Sequence, residues 1–435
     1  MTSLAEVRLW GRTIGAVSLA SGEQVADFQF ASAFVNSDIQ LSPLVMPLSH
    51  QVYRFPELSR ETFHGLPGLL ADSLPDRFGN ALINAWLAGQ GRSADSFNAV
   101  ERLCYTGSRG MGALEFVPIS GPRVQQSTPV DIEALVTLAS DVLANRNRLT
   151  SSLADAQKAE AMRDILRVGT SAGGARAKAV IAWNRQTNEV RSGQVAADEG
   201  FEYWLLKFDG VTGNRDRELD DPQGYCAIEY AYSLMAIAAG IDMSECRLLE
   251  ESGRRHFMTR RFDRTEDGSK LHMQSLCALA HFDFNQAGAY SYEQALLVIR
   301  QLGLPMQTRE QQFRRMAFNI IARNQDDHVK NIAFLMDRQG QWSLSPAFDV
   351  TYSYNPQGAW TATHQMSMNG KRDGFTLEDF IQCGRSAGLK RGRAETIANE
   401  VQNIVARWPE FADVAGVAPQ WVEEVGRHLR LDLCR

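Results

Sequence analysis

Near the amino terminus, apolar and polar residues alternate. Val7, Leu9 and Trp10 precede the turn-like Gly11-Arg12-Thr13, and the stretches 14–19 and 25–30 continue with alternating apolar residues. A period of two belongs to half-buried strands joined by turns, so residues 5–35 are expected to be β structure. From Leu58 to Leu87 the spacing becomes helical, centred on Leu69-Leu70-Ala71-Asp72-Ser73-Leu74-Pro75-Asp76-Arg77. A loop from Gly107 to Gly112 runs into a short strand over 113–117, and the polar stretch Gly121 to Pro129 is the expected linker. Helices are then expected at about 131–145 and 151–166, strands at 178–183 and 201–208, a helix at about 223–239 and a strand at 256–259. From about residue 285 the pattern is mainly helical, with helices at 376–388, 394–407 and 419–430. This order predicts an α+β chain with a β-rich sub-domain (1–122), a lobe containing strands (130–265) and a helical lobe (266–435).

At 435 residues, with 44% hydrophobic and 22% charged positions, the chain is long enough for more than one core and too apolar for wholesale disorder. The 45 basic and 51 acidic residues give a net charge of -6, which argues against a stand-alone nucleic-acid binder. Six scattered cysteines without a CxxC pair argue against zinc, iron–sulfur or disulfide frameworks. The amino-terminal residues reach charge without an apolar core, and the most apolar stretch, Tyr225 to Ile241, is short and interrupted by Glu229. A cytoplasmic protein with no membrane partner is expected.

The strongest chemical signal is Asn324-Gln325-Asp326-Asp327-His328-Val329-Lys330-Asn331. It follows a helix whose apolar face is Phe313, Met316, Ala317, Ile320 and Ile321, and it precedes a strand at 332–336, a turn at 337–340 and a second strand from Trp342. Such a hairpin would bring Asn331, at its start, near Asp349, just past its end. Two oxygen donors meeting there suit Mg²⁺. Asp326 stands five residues before Asn331, the spacing of a kinase catalytic loop, in which the Asp accepts a hydroxyl proton and the Asn holds metal. A polar loop in which Asp326 or Asp327 merely caps is the plainer reading of that spacing alone.

Upstream, Gly169 to Lys178 is rich in small residues that let backbone N–H groups approach phosphate, although an ordinary tight turn explains it as well. Lys207 lies near the end of an apolar strand, the position expected of a phosphate-binding lysine, although a strand-end lysine in solvent is the commoner case. Glu229 sits inside an apolar helix, a costly place for a carboxylate unless it is paired. Lys207 is the natural partner. Backbone groups at Arg260 and Arg261 are candidates for an adenine edge, with Phe262 packed nearby; a charged surface turn is the alternative.

In order, these motifs resemble the HipA family, serine/threonine kinases that act as toxins of bacterial toxin–antitoxin pairs. The resemblance runs from the β region through Leu69 to Asp76, Ser171 to Lys178 and Arg261 to Arg264, and is most specific at Asp326 to Asn331 with the later Phe348-Asp349. It implies a two-lobed kinase-like fold and dependence on ATP and Mg²⁺. Asp326 would be the catalytic base, and Asn331 and Asp349 the metal ligands. ATP would be held by Ala172, Gly173, Gly174, Ala175, Lys178, Lys207, Glu229, residues 260–262, His328 and Lys330, and Ser171 would be autophosphorylated. The chain departs from the pattern in having Asp327 in place of a glycine, Arg260 in place of a glutamate, and Arg176 and Ala177 in place of a Gln-Glu pair. The likeness also implies a HipB-like helix-turn-helix antitoxin, operator DNA bound through it, and a protein substrate of translation, typically an aminoacyl-tRNA synthetase. The alternatives are a small-molecule or lipid kinase, or a catalytically silent co-repressor.

Overall fold

A computed structural model describes residues 3–89, 91–120, 127–144, 176–194, 197–211 and 224–433. Its first sheet contains β1 (Ser3–Leu9), β2 (Arg12–Leu19), β3 (Asp27–Phe30), β4 (Val52–Tyr53) and β5 (Leu114–Val117), in the order β4-β3-β2-β1-β5. Every pairing in it is antiparallel. Alternation sends Val7, Val17, Phe28 and Phe116 into the core, and Ile14 is buried at the register shift opposite Val7 and Arg8. Residues 32–35, expected to be extended, form one helical turn instead. Phe34 is buried there, 5.8 Å from Phe30, so burying that ring decides the conformation.

Between β4 and β5 lie α1 (Gly68–Ala71), α2 (Arg77–Gly89) and α3 (Ala99–Thr106). Helix α4 (Ile132–Ala144) follows, then a second sheet of β6 (Lys178–Asn184), β7 (Val190–Ser192), β8 (Phe201–Lys207), β9 (Cys246–Glu251) and β10 (Arg254–Arg260). The order is β7-β6-β8-β10-β9, with α5 (Tyr225–Ala238) inserted between β8 and β9. Six of the seven β6 residues are buried, as a strand covered on both faces should be.

The helical lobe starts at β11 (His272–Ser275) and α6 (Leu276–Ala280), continues with α7 (Tyr292–Gln301) and α8 (Met306–Ile321), and holds the hairpin β12 (Ala333–Met336) and β13 (Trp342–Leu344). The hairpin is antiparallel, and β11 extends it to three strands. Helices α9 (Leu377–Ser386), α10 (Arg393–Val405), α11 (Trp408–Val414) and α12 (Pro419–His428) complete it. The chain is therefore a mixed α+β fold of two kinase-like lobes behind an amino-terminal β unit. Among the described residues, no helix is long and apolar enough to cross a membrane.

Core packing crosses the boundary expected near residue 122. One cluster joins the first sheet to α5, α7 and α8, while α2 packs through Phe78, Leu82 and Ile83 against Trp204 and Leu206 of the second sheet. The stretch from Leu69 to Asp76 touches both lobes. Asp72 accepts hydrogen bonds from the Ser275 backbone N–H (2.6 Å) and hydroxyl (2.8 Å) just where Ser275 caps α6. Asp76 accepts from the Gly79 N–H (2.7 Å) and faces the Lys178 ammonium at 3.6 Å.

Asp263, fully buried, closes a second tie. It accepts from Arg261 through Nε (2.9 Å) and Nη2 (2.7 Å), from Arg264 Nη1 (2.8 Å) and from the Gly112 N–H (2.7 Å). Burial opposes its charge, but the two guanidiniums outweigh that and hold its pKa far below the usual carboxylate value.

Candidate active site

The loop after α8 begins with Arg323 in a left-handed conformation (φ 59°), and the Asn324 N–H closes the turn on the Asn319 carbonyl (2.9 Å). Gln325 to His328 then run on without helix until the short turn Val329–Asn331 leads into β12. The Asn331 amide donates to the Asp326 carbonyl (2.9 Å), tying the two ends of the Asp-x-x-x-x-Asn spacing together. The Asp326 carboxylate accepts the Trp360 indole N–H at 2.7 Å, and His328 Nε2 lies 3.9 Å from the same oxygen. Lys330 sits over the Phe284 ring at 5.1 Å, and the His328 ring is 5.5 Å from it.

Lys207, at the last position of β8, bonds Glu229 of α5 and also Asp349. Its side chain is 6% exposed and that of Glu229 is 1% exposed, so the charges must compensate one another. Arg176 takes the second Glu229 oxygen at 3.0 Å and lies 5.1 Å from the Tyr225 ring. Two cations thus alternate with two carboxylates from Arg176 to Asp349. Burial works against the charge on Lys207, yet Asp349 and Glu229 outweigh it and its pKa is raised.

Asp349 has φ 55°, a region that aspartate tolerates better than most residues and that marks local strain where it occurs. Asn331 and Asp349 line one cavity with Asp327 and His328, as the hairpin predicted. With the Asn331 amide nitrogen committed to Asp326, its oxygen and the Asp349 carboxylate make a small set of hard donors. That set suits Mg²⁺ completed by phosphate oxygens and water. Among the described residues no cluster of three or more His, Cys, Asp or Glu side chains could hold a metal.

Asp327 is a buried anchor. It accepts from the Tyr292 hydroxyl (2.6 Å), from His364 Nδ1 (2.7 Å) and from the Gln365 N–H (2.7 Å). Arg430 Nη1 donates to His364 Nε2 (2.8 Å), which requires a lone pair there and puts the imidazole proton on Nδ1, toward Asp327. Burial lowers the His364 pKa below the ordinary histidine value, consistent with a neutral ring. Burial opposes the Asp327 charge, but His364, Tyr292 and the Gln365 amide outweigh it and lower its pKa.

Asp326, Asn331, Asp349, Lys207 and Glu229 are thus brought together, with His328 beside them. Lys178 faces Asp76 at 3.6 Å. At the expected hinge, the Arg260 N–H bonds the Glu245 carbonyl (2.8 Å) and the Arg261 N–H the Tyr203 carbonyl (2.9 Å). Strand pairing has spent both donors, and the Arg261 side chain is buried on Asp263. The Phe262 ring lies 5.4 Å from Phe348. Ser171, Ala172, Gly173, Gly174 and Ala175 lie outside the described residues. Residue-by-residue reading missed Trp360, His364, Gln365 and Arg430, because no periodicity or motif singles them out. Arg176 was visible only as a departure from a family pattern, and Asp327 as that or as a cap.

Residues 170–408 match the HipA-like C-terminal domain, and residues 5–117 match the HipA N-terminal domain. The chain belongs to the HipA family. The solved structure of the Shewanella oneidensis MR-1 toxin–antitoxin system of HipA, HipB and operator DNA contains a chain of like fold, with TM-score 0.67 at 16% identity over 99% of this HipA-family chain and 96% of that one. The Helicobacter pylori proinflammatory kinase CtkA aligns over 52% of this chain and 92% of its own, at 11% identity and TM-score 0.30, too low to bear on the fold. No curated protein matches in sequence.

Proposed function

We propose that this HipA-family chain is an ATP- and Mg²⁺-dependent serine/threonine protein kinase, the toxin of a toxin–antitoxin pair. The observation that carries the reading is the convergence of Lys207, Glu229 and Asp349 in one ion-paired group that shares a lobe interface with Asp326 and Asn331. Lys207 would exchange its Asp349 contact for ATP phosphate, while Glu229, braced by Arg176, keeps it in place. Mg²⁺ on Asn331 and Asp349 would neutralise charge on the transferred group. Asp326 would take the proton from the substrate hydroxyl. Phe262 would line the adenine site, and His328 and Lys330 would border the phosphates.

The partner reading is a HipB-like antitoxin that contacts operator DNA; the like-folded Shewanella HipA was solved with both. A protein of translation, such as an aminoacyl-tRNA synthetase, is the proposed substrate, the cytoplasm the proposed location and Ser171 the proposed autophosphorylation site. The test is transfer of labelled phosphate from ATP and Mg²⁺ into proteins of a cytosolic extract by the parent and by Asp326→Asn. The amide keeps the side chain's shape but cannot take the proton, so transfer should stop while ATP still binds. Equal transfer by both forms would reject Asp326 as base. Growth arrest by both forms would favour the silent co-repressor.

A further inference from the structure

The Asp326 carboxylate is held by a residue that belongs to no motif. Trp360 Nε1 donates to Asp326 Oδ1 at 2.7 Å. Indole is a donor only and does not titrate near neutral pH, so this contact persists across the working range. Trp360 is itself fixed on both sides. The Gln365 side chain bonds the Trp360 carbonyl and the Gln325 carbonyl (3.2 Å), and the Gln325 amide bonds the Thr361 carbonyl (2.9 Å). Three residues beyond Thr361, His364 and Gln365 clamp Asp327. Residues 360–365 therefore form a strap bonded to three consecutive positions of the catalytic loop, 325, 326 and 327.

A strap needed only to stabilise the loop would be complete with the buried Asp327 contacts. The Asp326 contact differs from them, because it falls on a carboxylate whose side chain is 18% exposed, where water could serve an oxygen equally well. We propose that Trp360 is a positioning residue: its indole N–H holds Oδ1 and fixes the plane of the Asp326 carboxylate for taking the proton of the substrate hydroxyl. This rests on the reading of Asp326 as the base. It goes further by giving the strap, through Trp360, a part in the reaction.

The experiment combines turnover with a direct view of the indole. Trp360→Phe keeps the ring and removes the N–H. Its kcat should fall about tenfold to a hundredfold, the cost of a slightly misplaced reacting group, with KM for ATP and the urea midpoint unchanged. In protein labelled with ¹⁵N-tryptophan, the Trp360 indole signal, assigned by its loss in Trp360→Phe, should move upfield in Asp326→Ala. A parent that transfers phosphate with a Trp360→Phe form equal to it in kcat would overturn this inference and leave the kinase reading intact. An indole signal indifferent to Asp326 would do the same. A fall in kcat matched by a fall in the urea midpoint would make Trp360 a structural tie and also overturn it. A parent without any transfer would overturn both readings together.

Discussion

Replacing Asp263 by alanine should cost the fold about 4 kcal/mol. The change leaves two guanidiniums facing each other, with the side chains of Arg261 and Arg264 only 1% and 8% exposed. Removing one side of a buried ion pair typically costs about 3–5 kcal/mol. The Gly112 N–H also loses its acceptor, a further penalty of about 1–3 kcal/mol that overlaps the first, because the same groups relax together. The Arg264 pKa is already pushed down to about 10, chiefly by burial and then by Arg261, so no counter-charge is to spare. With a urea slope near 3 kcal/mol/M for a chain of this size, the midpoint should drop by about 1.3 M. Circular dichroism during urea titration measures it. Adding Arg261→Met and Arg264→Met to Asp263→Ala should restore at least half the loss, since apolar groups can replace a buried ion cluster at little cost. A single variant within about 0.3 M of the parent, or a triple variant no better than the single, would refute the clasp.

Three further outcomes are expected. Glu229→Gln leaves Lys207 and Arg176 sharing an uncharged partner and should lower stability by about 3 kcal/mol and weaken ATP binding; calorimetry showing parental affinity would count against the pairing. Asp72→Ala removes the acceptor of Ser275 and should speed amide exchange through α6 about tenfold, the equivalent of one net hydrogen bond; unchanged exchange would mean that the tie carries nothing. Burial pushes His256 and His281 down to about 4 and His272 to about 3. Each gains a proton only on unfolding in the window below about 6.5, so the stability they contribute is whole above that pH and is lost as pH falls. Between pH 7.5 and 5.5 the three should remove about 4 kcal/mol, and equal urea midpoints at those two pH values would contradict their being neutral.

The elements that carry the chemistry were legible because each obeyed a local rule. Glu229 announced a partner simply by being a carboxylate in an apolar helix, and β8 ended in the lysine that met it. The convergence of Asn331 and Asp349 followed from the hairpin geometry of residues 332–344. What could not be read was set by tertiary contact. Trp360 meets Asp326 across 34 residues and Arg430 meets His364 across 66, pairings that no local pattern specifies. The hinge amides of Arg260 and Arg261 look available in the sequence and are consumed by neighbours fixed only by sheet order. Residues 32–35 turned helical because Phe34 found a place against Phe30, which no alternation rule contains.

The contacts of Arg430 give the chain a timing. Its guanidinium bonds the Ile320 carbonyl (2.6 Å), 110 residues earlier, as well as His364, and its own N–H bonds the Ile321 carbonyl (3.0 Å). A ribosome that has already released Asp326, Asn331 and Asp349 has still to make the residue that sets the His364 proton toward Asp327. A nascent chain thus carries every group of the candidate site well before that site is braced.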